Sequence, residues 1–211
     1  MLRRRLLVGA GRLLLRLLAR LDVRGRENLP QGGPLLVVFN HVAHADGAVV
    51  IATLPWEVEA ISLSDLFRVP LTGQLLRLYG AIPVHRDAYD RELLRRALGV
   101  LAEGKVLALA PEARQSPTGA LERGREGAAY LALRSGAALL PIGLTGTETV
   151  PTMWKRLRRP HITVTIGPPF HLPGPLGHGA ARRAQLESGR DEIMRRIAAL
   201  LPAQYQGVYA Q

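Results

Sequence analysis

Three apolar runs limit what this chain can fold into. GPLLVVFN (33–40), KVLALA (105–110) and AALLPIGLTG (137–146) are short, carry no charge inside, and are bounded by glycine, proline or lysine. A strand with one wet face alternates polar and apolar residues, so unbroken runs of this length read as strands buried on both faces. EVEAIS (57–62), AIPV (81–84) and the alternating HITVTIG (161–167) read as further strands. Helical stretches separate them: GAVVIATL (47–54), DLFRVPLTGQLLRLYG (65–80), DRELLRRALGVLAEG (90–104), REGAAYLALRSG (125–136) and a final amphipathic helix over 180–201. In 90–104 the acids come first, Leu93, Leu94, Ala97, Leu98 and Leu101 share a face, and Gly104 stops the helix. Strands alternating with helices predict one α/β domain, a mostly parallel central sheet flanked by helices. With 211 residues, 47% of them hydrophobic, the chain is long enough to bury such a core.

Ligand sites in such sheets gather at the carboxyl ends of strands. His41, Arg86 and Glu112 each fall just past a predicted strand end. The absence of cysteine excludes a disulfide framework, a thiolate metal site and a cysteine nucleophile. The net charge is +11, and only Lys105 and Lys155 are lysines. Arginine-rich basic chains seek anions, whether acidic lipid headgroups or phosphorylated substrates. Nucleic acid is not the expected partner: aromatics make up only 5% of the chain, and no recognition helix or aromatic and basic platform is present.

MLRRRLLVGAGRLLLRLLARLD opens the sequence, and the helix is expected to run through residue 22. Arg12, Arg16 and Arg20 interrupt it, so it reads neither as a spanning helix nor as a signal peptide. At 100° per residue Arg5, Arg12, Arg16 and Arg20 fall within about 80° of one another. Leucines fill much of the remaining circumference. Two dispositions fit: a helix lying in the interface of an anionic membrane, or one packed on its own domain with the arginines in water.

The stretch VVFNHVAHADGAVV (37–50) places His41, His44 and Asp46 within six positions. It has three readings: a metal site, a proton-transfer pair, or a polar turn in which Asp46 caps the next helix. No H-E-x-x-H pattern or second ligand cluster accompanies it, so no metal is expected. As a pair, His41 takes a proton while Asp46, folded back by a turn, orients the ring. No G-x-S-x-G nucleophile elbow is present, so the nucleophile would be the substrate's own hydroxyl. His44 reads as a surface residue.

Later segments extend the pattern. Asn40, His41 and Asp46 match N-H-x-x-x-x-D; Gly80, Ile82, Val84 and Arg86 match G-x-I-x-V-x-R; Pro111, Glu112 and Ser116 match part of F-P-E-G-T-R-S; Leu140, Pro141 and Ile142 stand where a V-P-V-like strand is found. Over residues 25 to 170 the chain thereby resembles the glycerolipid acyltransferases typified by 1-acyl-glycerol-3-phosphate acyltransferase. The resemblance implies an acyltransferase domain over 23–211 behind a membrane-interface helix over 1–22. It implies His41 as general base and Asp46 as its orienting carboxylate. The implied substrate contacts are Asn40, Arg86, Glu112, Arg114 and Ser116. The implied co-substrates are an acyl thioester, of CoA or of acyl carrier protein, and a lysophospholipid or other phosphorylated acceptor. No metal or redox cofactor is implied. The implied location is the cytoplasmic face of a membrane, held peripherally or monotopically.

The third motif departs from the pattern. Ala113 replaces its glycine, which removes easy access to positive φ, and Arg114 and Gln115 replace its T-R. Either Arg114 serves the acceptor phosphate from one position earlier, or the acceptor differs: glycerol-3-phosphate, another lysophospholipid or a lipid amine. A lipid-binding scaffold without turnover is the remaining alternative. LLPAQYQGVYAQ (200–211) reads as a tail packed on the domain.

Overall fold

The computed structural model describes residues 2–84 and 91–210. In chain order the elements are α1 (Leu2–Leu18), β1 (Arg20–Arg24), β2 (Leu35–Phe39), α2 (Asp46–Thr53), β3 (Val58–Leu63), α3 (Thr72–Tyr79), β4 (Ile82–Val84), α4 (Arg91–Ala102), β5 (Val106–Leu109), α5 (Gly127–Ser135), β6 (Ala138–Thr145), α6 (Val150–Lys155), β7 (His161–Ile166), α7 (Gly179–Ala198) and α8 (Ala203–Gln206). The strands form one sheet in the order β1-β7-β6-β2-β5-β3-β4. All neighbours are parallel except β6 and β7. The architecture is the expected single α/β domain.

β2 lies at the centre, between β5 and β6, and all five of its residues are buried. Its side chains alternate between two cores, as a period of two requires. Leu36 and Val38 join Leu107, Leu139, Ala97, Leu101, Leu131 and Ile193 on the side of α4, α5 and α7. Leu35, Val37 and Phe39 join Val106, Leu140, Ile142, Val49 and Val50 on the side of α2. The unbroken apolar run of β2 is thus explained by helices on both faces. The C-terminal tail packs as expected, with Leu121 N–H donating to Tyr205 O at 2.8 Å and Val208 N–H to Leu121 O at 3.2 Å.

Two expectations change. The first helix does not run through residue 22. It ends at Leu18, and Arg20–Arg24 forms β1 beside β7, with Arg20 opposite His161. The backbone groups of an otherwise open sheet edge capture this segment, outweighing its helical leucine spacing. The stretch 65–80 also divides, into a 3₁₀ turn over Ser64–Arg68 and then α3.

α1 packs against the domain with Arg4 and Arg12 inward. Its inner stripe is Arg4, Leu7, Val8, Gly11, Arg12 and Leu15, all partly buried. Arg4 binds Glu59 at 2.7 and 3.0 Å, also donates to Val58 O, and lies 4.3 Å from the centre of the Tyr79 ring. Arg12 donates to Ala52 O at 2.9 Å and to Leu54 O at 2.5 Å, satisfying carbonyls at the end of α2. Five leucines turn outward: Leu2, Leu6, Leu13, Leu14 and Leu17 are all more than half exposed. Among the described residues, no helix is long and apolar enough to cross a membrane.

Candidate active site

β2 ends at Phe39, and the chain turns sharply before α2 begins at Asp46. Asp46 does not cap α2. Its Oδ2 instead accepts three hydrogen bonds from the turn behind it: Val42 N–H at 2.7 Å, Ala43 N–H at 2.7 Å, and His41 Nδ1 at 2.9 Å. An ionised carboxylate only accepts, so Nδ1 carries the proton and Nε2 presents its lone pair. The Asp46 side chain is fully buried, whereas the His41 side chain is 25% exposed. The arrangement can draw a proton from a molecule at the protein surface and hold the resulting imidazolium against a buried carboxylate.

The backbone of His41 is fixed as firmly as its ring. Glu112, past the end of β5, accepts His41 N–H on Oε2 at 2.8 Å. Its other oxygen accepts Glu122 N–H at 3.0 Å. The His41 carbonyl accepts Ser116 N–H at 2.7 Å, and Gln115 Nε2 donates to Val42 O at 2.9 Å. On the opposite flank Asn40 acts as one more rung toward β6. Its Nδ2 donates to Leu144 O at 2.9 Å and its Oδ1 accepts Leu144 N–H at 2.7 Å. β2 has β5 and β6 as neighbours, so residues just past the ends of β2 and β5 and near the end of β6 meet around one histidine.

Asn40, His41, Asp46, Glu112 and Ser116 are therefore drawn into one network. The side-chain oxygens of Asn40 and Glu112 bond to backbone amides, and Ser116 Oγ donates to Ala120 O at 2.6 Å. Arg114 stands apart. It is more than half exposed and pairs with Glu122, Nε to Oε2, at 2.6 Å. Arg86 lies outside the described residues. His44 is exposed. Among the described residues, no three His, Asp or Glu side chains converge as metal ligands. Gln115 and the amides of Glu122 and Ser116 are site components that the sequence pattern does not single out. Ala113 does enter the left-handed region, at φ 56°, despite its Cβ. The conformation costs on the order of 1 kcal/mol for an L-residue; the bonds on either side of it, Glu112 to His41 and Gln115 to Val42, hold the loop there.

Burial pushes the Glu112 carboxyl above its ordinary range, and the amides of Glu122 and His41 oppose the rise. The folded chain thus holds this proton more tightly than the unfolded chain. The stabilising share of this group is complete below the ordinary carboxylate range and is lost as pH rises through the raised value. Glu112→Gln does not titrate. We expect the melting temperature of the wild type, measured relative to Glu112→Gln in matched buffers, to decline as pH rises above the ordinary carboxylate range. A difference that stays flat, or climbs with pH, contradicts the assignment.

A family model described as Acyltransferase matches residues 20–145, a span that holds this whole constellation. The chain belongs to the acyltransferase family. Among the relatives of this acyltransferase-family chain is an Arabidopsis thaliana protein named chloroplastic 1-acyl-sn-glycerol-3-phosphate acyltransferase LPAT1. It is 29% identical over 157 residues, covering 72% of this chain and 44% of the relative. A Borreliella burgdorferi protein named 1-acyl-sn-glycerol-3-phosphate acyltransferase is 27% identical over 128 residues, covering 60% of this chain and 51% of the relative. The chain thus spans about half the length of these curated relatives. The crystal structure of the 1-acyl-sn-glycerophosphate acyltransferase PlsC from Thermotoga maritima shares the fold. Its TM-score is 0.64 at 21% identity, covering 90% of this chain and 79% of the other.

Proposed function

We propose that this chain transfers a fatty acyl group from an acyl thioester to the hydroxyl of a 1-acyl-glycerol-3-phosphate or a closely related lyso-lipid, in phospholipid synthesis. The observation that carries the reading is the His41–Asp46 pair, held at 2.9 Å past the central strand with the histidine at the surface. His41 Nε2 takes the acceptor hydroxyl proton as the oxygen attacks the thioester carbonyl carbon. The tetrahedral intermediate collapses, the C–S bond breaks, and the departing sulfur takes the proton back from the imidazolium. The atoms balance without a further reactant. Asn40 and Glu112 serve this reading through position: they hold the backbone from which the histidine projects. The donor is a thioester of CoA or of acyl carrier protein. The relatives' printed names support the acceptor class.

One observation favours a second acceptor class. Arg114 is already paired with Glu122, and Gln115 is committed to the Val42 carbonyl. A phosphate monoester would share Arg114 with the Glu122 carboxylate and meet its negative charge, so a lyso-lipid of lower headgroup charge suits this loop equally well. We further propose that the outward leucines of α1 lie on an anionic membrane, from which a lipid acceptor reaches the site without crossing water.

Thiol release from a long-chain acyl-CoA, and product formation from acyl carrier protein, would be measured with lysophosphatidate and with lysophosphatidylglycerol. Release dependent on lysophosphatidate supports the main reading. Release dependent only on the other acceptor moves the function to the second class. No acyl transfer with either donor and any lyso-lipid removes the catalytic reading.

A further inference from the structure

Among the described residues, three that are not glycine have positive φ: Leu71 at 63°, Ala113 at 56° and Leu157 at 53°. Ala113 belongs to the site loop. The other two are leucines whose side chains stand in solvent, Leu71 68% exposed and Leu157 97% exposed. A positive φ is unfavourable for leucine, and its exposed side chain returns no burial within the chain. Leu157 N–H to Trp154 O at 3.0 Å and Arg158 N–H to Met153 O at 2.9 Å close the end of α6 and set the φ of Leu157, and Thr72 N–H to Pro70 O at 2.7 Å closes a tight turn around Leu71. What these turns leave unexplained is a large exposed apolar side chain at each position, where glycine would be less strained.

Their placement supplies the reason. Leu71 immediately precedes α3, which carries exposed Leu75 and Leu78 and whose Tyr79 ring lies against Arg4 of α1. Leu157 follows α6 at the other end of α1. There Trp154 Nε1 donates to Leu18 O at 3.2 Å, and Arg159 donates to the carbonyls of Arg16 and Ala19. The two leucines therefore belong to elements that contact α1, Leu71 through α3 and Leu157 through the turn after α6. Trp154, itself 46% exposed, and Leu157 are interleaved with Lys155, Arg156 and Arg158. Tryptophan beside lysine and arginine is the residue pairing of a bilayer interface.

Charge selects the occupant. Neither residues 2–18 nor residues 150–160 contain an acid. The nearby Glu57 and Glu59 are already paired with Arg5 and Arg4. A second copy of this face would set arginines against arginines, whereas anionic headgroups complement it. Resting on the reading that α1 lies on a membrane, we propose that Leu71 and the Trp154–Leu157 turn are two further lipid-inserting anchors, which widen the α1 contact into a three-element footprint on an anionic bilayer.

The chain has two tryptophans, so Trp56→Phe makes Trp154 the sole reporter. The probe is a vesicle of phosphatidylglycerol and phosphatidylcholine in equal parts, with and without brominated acyl chains, beside vesicles of phosphatidylcholine alone. On the anionic vesicles the emission of Trp154 should shift to the blue and be quenched by bromine. Leu157→Asp and Leu71→Asp should each weaken vesicle binding roughly tenfold or more, the loss expected for one buried leucine. Both sites are exposed, so these variants fold. If Trp56→Phe does not fold, the difference between wild type and Trp154→Phe gives the same reading. Vesicle binding with Trp154 unquenched and Leu157→Asp unaffected overturns the inference but leaves α1 docking intact. Absence of vesicle binding overturns both membrane readings and does not touch acyl transfer assayed in detergent. A blue shift that grows with protein concentration without lipid assigns the face to a second copy and overturns the inference.

Discussion

His41→Ala should lower kcat for acyl transfer by about 10³, within the range general-base catalysis supplies, and leave the fold intact. The ring is a quarter exposed and, among the described residues, its hydrogen bond is to Asp46. Deleting it costs less than about 1 kcal/mol, as for surface substitutions, because Asp46 keeps the amides of Val42 and Ala43. KM for either substrate should move little, since the base acts on the attacking hydroxyl and not on the groups that bind it. The measurement is acceptor-dependent thiol release beside a melting curve. A folded variant that retains more than a tenth of the wild-type kcat removes His41 from the role of base.

The sequence showed most where neighbours in the chain are neighbours in space. The core strands β2, β5 and β6 were legible because burial on both faces leaves unbroken apolar runs. β1 was hidden. RLDVR is a partly exposed edge segment with charge at both ends and in the middle, and the leucine spacing before it continues a helical pattern. The amphipathicity of α1 was readable, but not which side turns inward. That depends on Glu59 and on the carbonyls of Val58, Ala52 and Leu54, which come more than 35 residues later.

The site divides in the same way. His41 and Asp46 are five residues apart, and one turn joins them. The partner of Arg114 is eight residues away in a loop without regular structure, and the tail shapes that loop by pairing Tyr205 and Val208 with Leu121. No local signal distinguishes an arginine aimed at a phosphate from one aimed at Glu122. Gln115 is a similar case: its role depends on the Val42 carbonyl, 73 residues earlier.

Asp46→Asn separates the two roles that one carboxylate performs in this turn. Oδ2 receives three donors while Oδ1 has no partner among the described residues. The asparagine oxygen must therefore take the Oδ2 position, since an NH₂ there would face two N–H groups. Set this way, asparagine keeps all three hydrogen bonds and the histidine tautomer, and loses only the charge. A unit charge pair at about 4 Å in an effective dielectric near 20 is worth roughly 4 kcal/mol, which sets the expected loss in kcat at about 10³. Stability should fall by about 1–3 kcal/mol, because the NH₂ group is buried without an acceptor and the three bonds are no longer charge-assisted. In a His41→Ala background the same substitution should cost stability but no further activity, because no imidazolium remains to stabilise. If Asp46→Asn keeps kcat within tenfold of wild type, the carboxylate is a turn fastener and His41 works without its charge. If it lowers activity equally with and without His41, its effect runs through the fold of the turn and not through proton transfer.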